Sequence, residues 1–166
     1  EAADIILLEK SLMVLEEDLA AARMALERAG LKPADIGLVV SGSSAPDTVT
    51  PAEAAAVATE LGIEAPCFDI NSACTSFGVQ IHFLLGMKPE SLPPFVLVVN
   101  PESLTRVVDY SDRNSAVLFG DGSSAAVVSA TVPAPPAFVL SHVDSKPSAW
   151  DKVTIPRTGY FQQDGN

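Results

Sequence analysis

Short apolar runs and amphipathic helical stretches alternate through the first hundred residues, and a Gly or Pro separates most of them. That alternation is the tightest constraint on the fold. Strand and helix in repeated succession layer helices against a parallel or mixed sheet. Residues 12–29 carry Leu15, Leu19, Ala22 and Leu26 at spacings of three and four, the period of a helix with one apolar face. Gly30 ends that helix as a C-terminal cap, and Pro33 follows it. Residues 36–41 read as a short strand with a Ser-rich exit. In "TPAE", residues 50–53, Thr50 can cap a helix, Pro51 suits its first position and Glu53 can return the bond. A capping box is therefore expected there, opening a helix that runs to Leu61 and stops at Gly62.

"CFDI", residues 67–70, follows as a strand, and an apolar helix then runs as far as Gly86. "PFVLVVN", residues 94–100, is a continuous apolar run of the kind buried on both faces of a sheet. "SAVLFGDGSSAAVVSATV", residues 115–132, reads as two strands around a Gly-Asp-Gly turn. "PAPP", residues 133–136, is a stiff connector, and residues 137–145 read as a last strand. The expected class is α/β with a mixed sheet. No internal repeat or low-complexity tract interrupts it.

Composition narrows the function. A chain of 166 residues, nearly half apolar, is long enough for one domain with a real core. No run approaches the ~18 consecutive apolar residues of a membrane helix, so no membrane partner is expected. The net charge of −11, with its ten Lys and Arg scattered, disfavours a nucleic-acid partner. Cys67 and Cys74 flank a short strand that holds their sulfurs too far apart to bond, so both read as free thiols of a reducing cytoplasm. The chain opens on "EAADIILL" without a methionine and stops on "QQDGN", which reads as a piece of a longer chain.

In "DINSACTSF", residues 69–77, Cys74 stands where a strand gives way to a helix. Asn71 and Ser72 are both good N-caps, which would place Cys74 in the first helical turn. Unsatisfied backbone N–H groups there favour a thiolate, and the C-terminal edge of an α/β sheet is where ligands bind. This suits a nucleophile. The same pattern also suits a small buried residue. No base accompanies the thiol. His82 lies eight residues further along the helix, a rise of ~12 Å, and reads as a packed helix residue. His142 falls late in a strand. Asp69 reads as a turn or cap residue, and Trp150 as packing.

"DINSACTSF" and "SDRNSAVLFGDGSSAAVV", with "ALERAGLKPADIGLVVSGSS" before them and "GYFQQDGN" after, resemble the β-ketoacyl-ACP synthase III group of the thiolase superfamily. The resemblance implies a thiolase fold of two similar halves, each a mixed five-stranded sheet with helices on both faces. Residues 1–166 would be the N-terminal half, without its first strand. The family's cysteine takes an acyl group from acyl-CoA as a thioester, then condenses it with a malonyl thioester on acyl carrier protein after decarboxylation. Cys74 matches that nucleophile. The assisting His and Asn belong to the absent C-terminal half, so no metal or cofactor is expected.

Arg113 matches the family's adenine-stacking arginine, although a surface turn with an Asp112–Arg113 ion pair would look the same. Asn114 stands where a glycine is usual after that arginine. Phe119 matches an acyl-pocket phenylalanine, compatible with plain packing, and Gly120, Asp121 and Gly122 look like a family turn. The family is a homodimer, and Val49 or Thr50 would close the partner's acyl pocket with a smaller plug than an aromatic relative offers. Fatty-acid initiation and polyketide assembly both remain open. So does a non-catalytic dimerising or carrier-binding role. Acyl carrier proteins are acidic, so docking one would need a local basic patch.

Overall fold

The computed structural model describes residues 14–47, 49–133, 141–156 and 162–163. Its elements follow the expected alternation: α1 (Val14–Ala29), β1 (Leu38–Ser41), α2 (Glu53–Leu61), β2 (Cys67–Asp69), α3 (Ser76–Gly86), β3 (Val96–Ser103) and β4 (Asp121–Val128). A two-residue antiparallel pair closes the list, β5 (Val153–Thr154) with β6 (Gln162–Gln163). The main sheet runs β2-β1-β3-β4. β1 is parallel to β2 and β3, and β4 is antiparallel to β3. The sheet is therefore mixed, as expected. Four of the five strands expected of the half-domain are among the described residues.

Strand periodicity explains the layering. Successive side chains of a strand point to opposite faces. Val39, Leu97, Val99 and Ala125 face one side and pack with Leu19, Leu26, Val57 and Leu61 of α1 and α2. Leu38, Val40, Val96 and Val98 face the other side and pack with Leu84 of α3. Complete burial of each such Val or Leu contributes about 1.5–3 kcal/mol. Gly62 ends α2 in the left-handed conformation, φ 69°, as expected of a glycine stop.

Three readings from the sequence are corrected. First, Thr50 does not cap α2. The N-cap is Ala52, with no side-chain bond of its own. Asp69, from the end of β2, accepts instead from Glu53 N at 2.8 Å and Ala54 N at 3.0 Å. A carboxylate with two charge-assisted bonds at the positive end of a helix outcompetes a hydroxyl. Such a cap contributes about 1–2 kcal/mol. Asp69 is the cap residue that its strand-end position suggested.

Second, residues 115–118 form turns rather than a strand. Asp112 accepts from Asn114 N and Ser115 Oγ, and Ala116 N and Leu118 N bond back to Asp112 O and Ser115 O. These local bonds take the backbone groups a strand would need. Gly120–Gly122 is thus no hairpin turn, because β4 starts at Asp121 and pairs with β3. Third, residues 141–145 are irregular, so His142 is not in a strand. Residues 137–140 of that expected strand lie outside the described residues.

α3 is apolar on nearly every side, yet it buries only Ser76, Gln80 and Leu84. Phe83 and Leu85 on its outer side are 52% and 63% exposed. A helix with this composition is built for cover on both faces. No helix among the described residues is long and apolar enough to cross a membrane.

Candidate active site at the Cys74 turn

The C-terminal ends of the parallel strands meet at Cys74. Ile70 N bonds to Ser41 O at 2.7 Å, which carries the β1–β2 pairing one residue past the end of β2. The chain then turns sharply. Asn71 Oδ1 accepts from Ala73 N at 2.9 Å, and Ala73 takes the left-handed φ of 47°. An alanine held there stores of order 1–3 kcal/mol of strain. Ser76 Oγ accepts from Ser72 N at 2.8 Å and donates to Ala73 O at 2.7 Å. Thr75 N closes onto Ser72 O at 3.0 Å. Cys74 is the middle residue of this 3-10 turn, Ala73–Thr75, which feeds α3. The expectation of a first α-helical turn is thus shifted. Ser72 is the N-cap of the short turn but makes no capping bond, because its hydroxyl meets Thr75 Oγ1 at 3.0 Å.

Two buried residues hold the turn to the sheet. Gln80 is fully buried and donates from Nε2 to Ile70 O at 3.1 Å. Gly42 lies just past β1, where a Cβ would stand 2.4 Å from Ile70 O and 2.6 Å from Gln80 Nε2. Only glycine lets the exit of β1 lie so close to the Ile70 carbonyl and the Gln80 side chain.

Cys74 is exposed and its thiol is free. It opens on a cleft of about 450 Å³. Phe77, Leu104, Leu118 and Phe119 give the cleft apolar walls, and Asn100 and Glu102 of β3 give it polar groups. Glu102 Oε1 accepts from Ser44 N and Ser44 Oγ, each at 2.9 Å, while Oε2 is buried without a partner among the described residues. Burial pushes the Glu102 carboxyl above the ordinary glutamate range, and the Ser44 bonds and the nearby Ala45 backbone N–H offset this only in part. In the window between the unfolded and folded values, the native state holds more protons than the unfolded chain. Stability therefore falls as pH rises through that window. A Glu102→Gln variant is expected to be more stable than the parent at neutral pH and to show a flatter profile there. Urea midpoints from pH 4 to 8 check this.

The structure brings Cys74, Phe119 and Gly120–Gly122 to one cleft. It leaves the other named residues outside the cleft walls. Arg113 is exposed on the turn that Asp112 holds. Thr50 is exposed, and Val49 is 80% exposed on a loop. Cys67 is half-buried, a free thiol against the α2 side of the core. His82 is exposed rather than packed, with Nδ1 2.7 Å from Ser141 Oγ. Trp150 is exposed as well, against the expectation of packing. Sequence reasoning missed Gly42, Gln80, Asn100 and Glu102. The signal for the last two was present: "VLVVNPES", residues 96–103, turns polar halfway along one strand.

Residues 68–147 match the 3-oxoacyl-[acyl-carrier-protein (ACP)] synthase III family. A β-ketoacyl-[acyl-carrier-protein] synthase III of Sulfurovum sp. is 35% identical over 141 residues, which are 84% of this chain and 42% of that protein. The crystal structure of 3-oxoacyl-[acyl-carrier-protein] synthase III from Aquifex aeolicus superposes on 94% of this chain with a TM-score of 0.83 and 27% identity, over 51% of its own length. The priming β-ketosynthase of the R1128 polyketide pathway superposes on 73% of this chain with a TM-score of 0.66 and 37% identity, over 37% of its own length. The chain thus spans about two-fifths of the length of the first curated relative. With its mixed sheet between helical layers and its cysteine turn at the strand ends, it has a thiolase-like fold and belongs to the β-ketoacyl-ACP synthase III family.

Proposed function

We propose that residues 1–166 are the N-terminal half-domain of an acyltransferase that loads an acyl group on Cys74. The observation that carries this reading is the exposed, free thiol of Cys74, held on a pinned turn at the mouth of a largely apolar cleft. The Cys74 thiolate attacks the thioester carbonyl of acyl-CoA. A new S–C bond forms, the carbonyl's bond to the CoA sulfur breaks, and CoA leaves as a thiolate that takes up a proton. Backbone N–H groups at the turn, including that of Cys74, hold the oxyanion of the tetrahedral intermediate. The acyl chain then lies against Phe119 and Phe77.

A decarboxylative Claisen condensation with a malonyl thioester on acyl carrier protein completes the reaction. The base and the decarboxylation groups, a His and an Asn, come from the C-terminal half. That half also covers the outer side of α3, where the exposed Phe83 and Leu85 favour a further layer. Arg113 stacks on the CoA adenine. The protein is a homodimer in which Val49 or Thr50 reaches the partner's acyl pocket, and Val49's exposure is compatible with burial there. Free thiols support a cytoplasmic setting. No metal or cofactor takes part; the CoA and carrier thioesters are substrates.

Free CoA measures the first half-reaction. The full-length protein mixed with acyl-CoA, without malonyl thioester, is expected to release a burst of one CoA per subunit and then slow. No burst with acetyl, branched or longer acyl-CoA would overturn the transferase reading and favour the non-catalytic, carrier-binding one.

A further inference from the structure

The α3 side of β3 changes character along its length. Val96 and Val98 pack beneath α3. The next two residues on that face, Asn100 and Glu102, enter the wall of the Cys74 cleft. Opposite them across the β3–β4 ladder stand Ser124 and Gly122, which line the same cleft. A hydrocarbon site would continue the valines, because an apolar chain gains nothing from an amide and a carboxyl.

These polar groups lack partners. Both the nitrogen and the oxygen of the Asn100 amide, and Glu102 Oε2, are buried without a hydrogen bond among the described residues. An unsatisfied buried donor or acceptor costs about 1–3 kcal/mol, so three in one wall point to an occupant that satisfies them. The other Glu102 oxygen is held by Ser44, which fixes the direction of the free one. Asn100 offers both a donor and an acceptor, and Glu102 Oε2 offers a further acceptor.

We propose that Asn100 and Glu102 form a polar subsite of the cleft that selects acyl thioesters carrying a hydroxyl or carbonyl oxygen on the chain, over plain hydrocarbon chains. The inference rests on Cys74 being the acyl-accepting residue and names the substrate class of that same site. The Asn100 amide takes the chain oxygen, and Glu102 Oε2 completes the bond network. A plain chain leaves the wall unsatisfied and is disfavoured for that reason.

Binding and transfer are measured separately. In full-length protein carrying Cys74→Ala, calorimetry compares hexanoyl-CoA with 3-hydroxyhexanoyl-CoA and 3-oxohexanoyl-CoA. At least one oxygenated chain is expected to bind about tenfold more tightly than the plain one, as one net hydrogen bond gives. Adding Asn100→Leu is expected to erase that ratio while hexanoyl-CoA binds at least as well. With Cys74 in place, the rate of CoA release is expected to follow the same order. Equal binding of all three chains by the Cys74→Ala protein overturns the subsite. So does an Asn100→Leu effect that weakens plain and oxygenated chains alike, since that is the behaviour of a packing residue. Selective binding without any CoA release by the parent protein keeps the subsite and overturns the transferase reading, so the two failures are distinguishable.

Discussion

Full-length protein carrying Cys74→Ala is expected to release no CoA burst and to gain no acyl mass, while folding as stably as the parent. The chemistry requires the first result, since alanine has no sulfur to hold the acyl group. The structure requires the second. Cys74 is exposed, and the bonds that shape its turn come from its neighbours. Asn71, Ser72, Ala73 and Ser76 keep their contacts when the sulfur is removed. A variant that loses both activity and several kcal/mol of stability would show that Cys74 is a packing residue.

Gly42→Val is expected to have the largest effect on stability. Even the first carbon of a side chain would stand 2.4 Å from Ile70 O, a backbone atom, and 2.6 Å from Gln80 Nε2. Real contacts of this kind do not fall below about 3 Å, so β1, the Ile70 segment and Gln80 must part. Overpacking a closed core costs about 1–3 kcal/mol, and the lost Gln80–Ile70 bond leaves a buried carbonyl for about 1–3 kcal/mol more. A loss of about 3 kcal/mol or more in urea unfolding is the expected result. The milder Gly42→Ala keeps the clash with Ile70 O but adds less bulk. If it folds, its Cys74 turn is displaced, and its CoA burst is expected to slow at least tenfold. A Gly42→Ala protein with parental stability and burst would contradict the account of the turn.

The layering was legible because it rests on periodicity. Apolar residues at three and four in α1, and the unbroken "VLVV" of β3, carry the signal in neighbouring residues. Gly62 was legible because a left-handed stop favours glycine. Long-range partners were not legible. Thr50 matches the local rule for a cap, and only the fold brings Asp69 to Glu53 N from sixteen residues away. Residues 115–118 have strand-like composition, but Asp112 bonds them into turns. The position of Cys74 followed from its strand-to-helix setting. The cleft wall did not, because Asn100 and Glu102 join Cys74 only when β3 lies between β1 and β4. Gly42 and Gln80 carry no local signal, since their importance comes from the approach of three distant segments.

The two free thiols supply an internal control for the central claim. Cys67 is half-buried in β2 against the α2 side of the core, and Cys74 is exposed at the cleft. Full-length protein is incubated with acyl-CoA, quenched in acid, cut with chymotrypsin after Phe68, and weighed by peptide. The acyl mass is expected on the fragment holding Cys74 and on no fragment holding Cys67. Acylation of Cys67, or of neither thiol while CoA is released, would contradict the assignment of Cys74 as the acyl carrier.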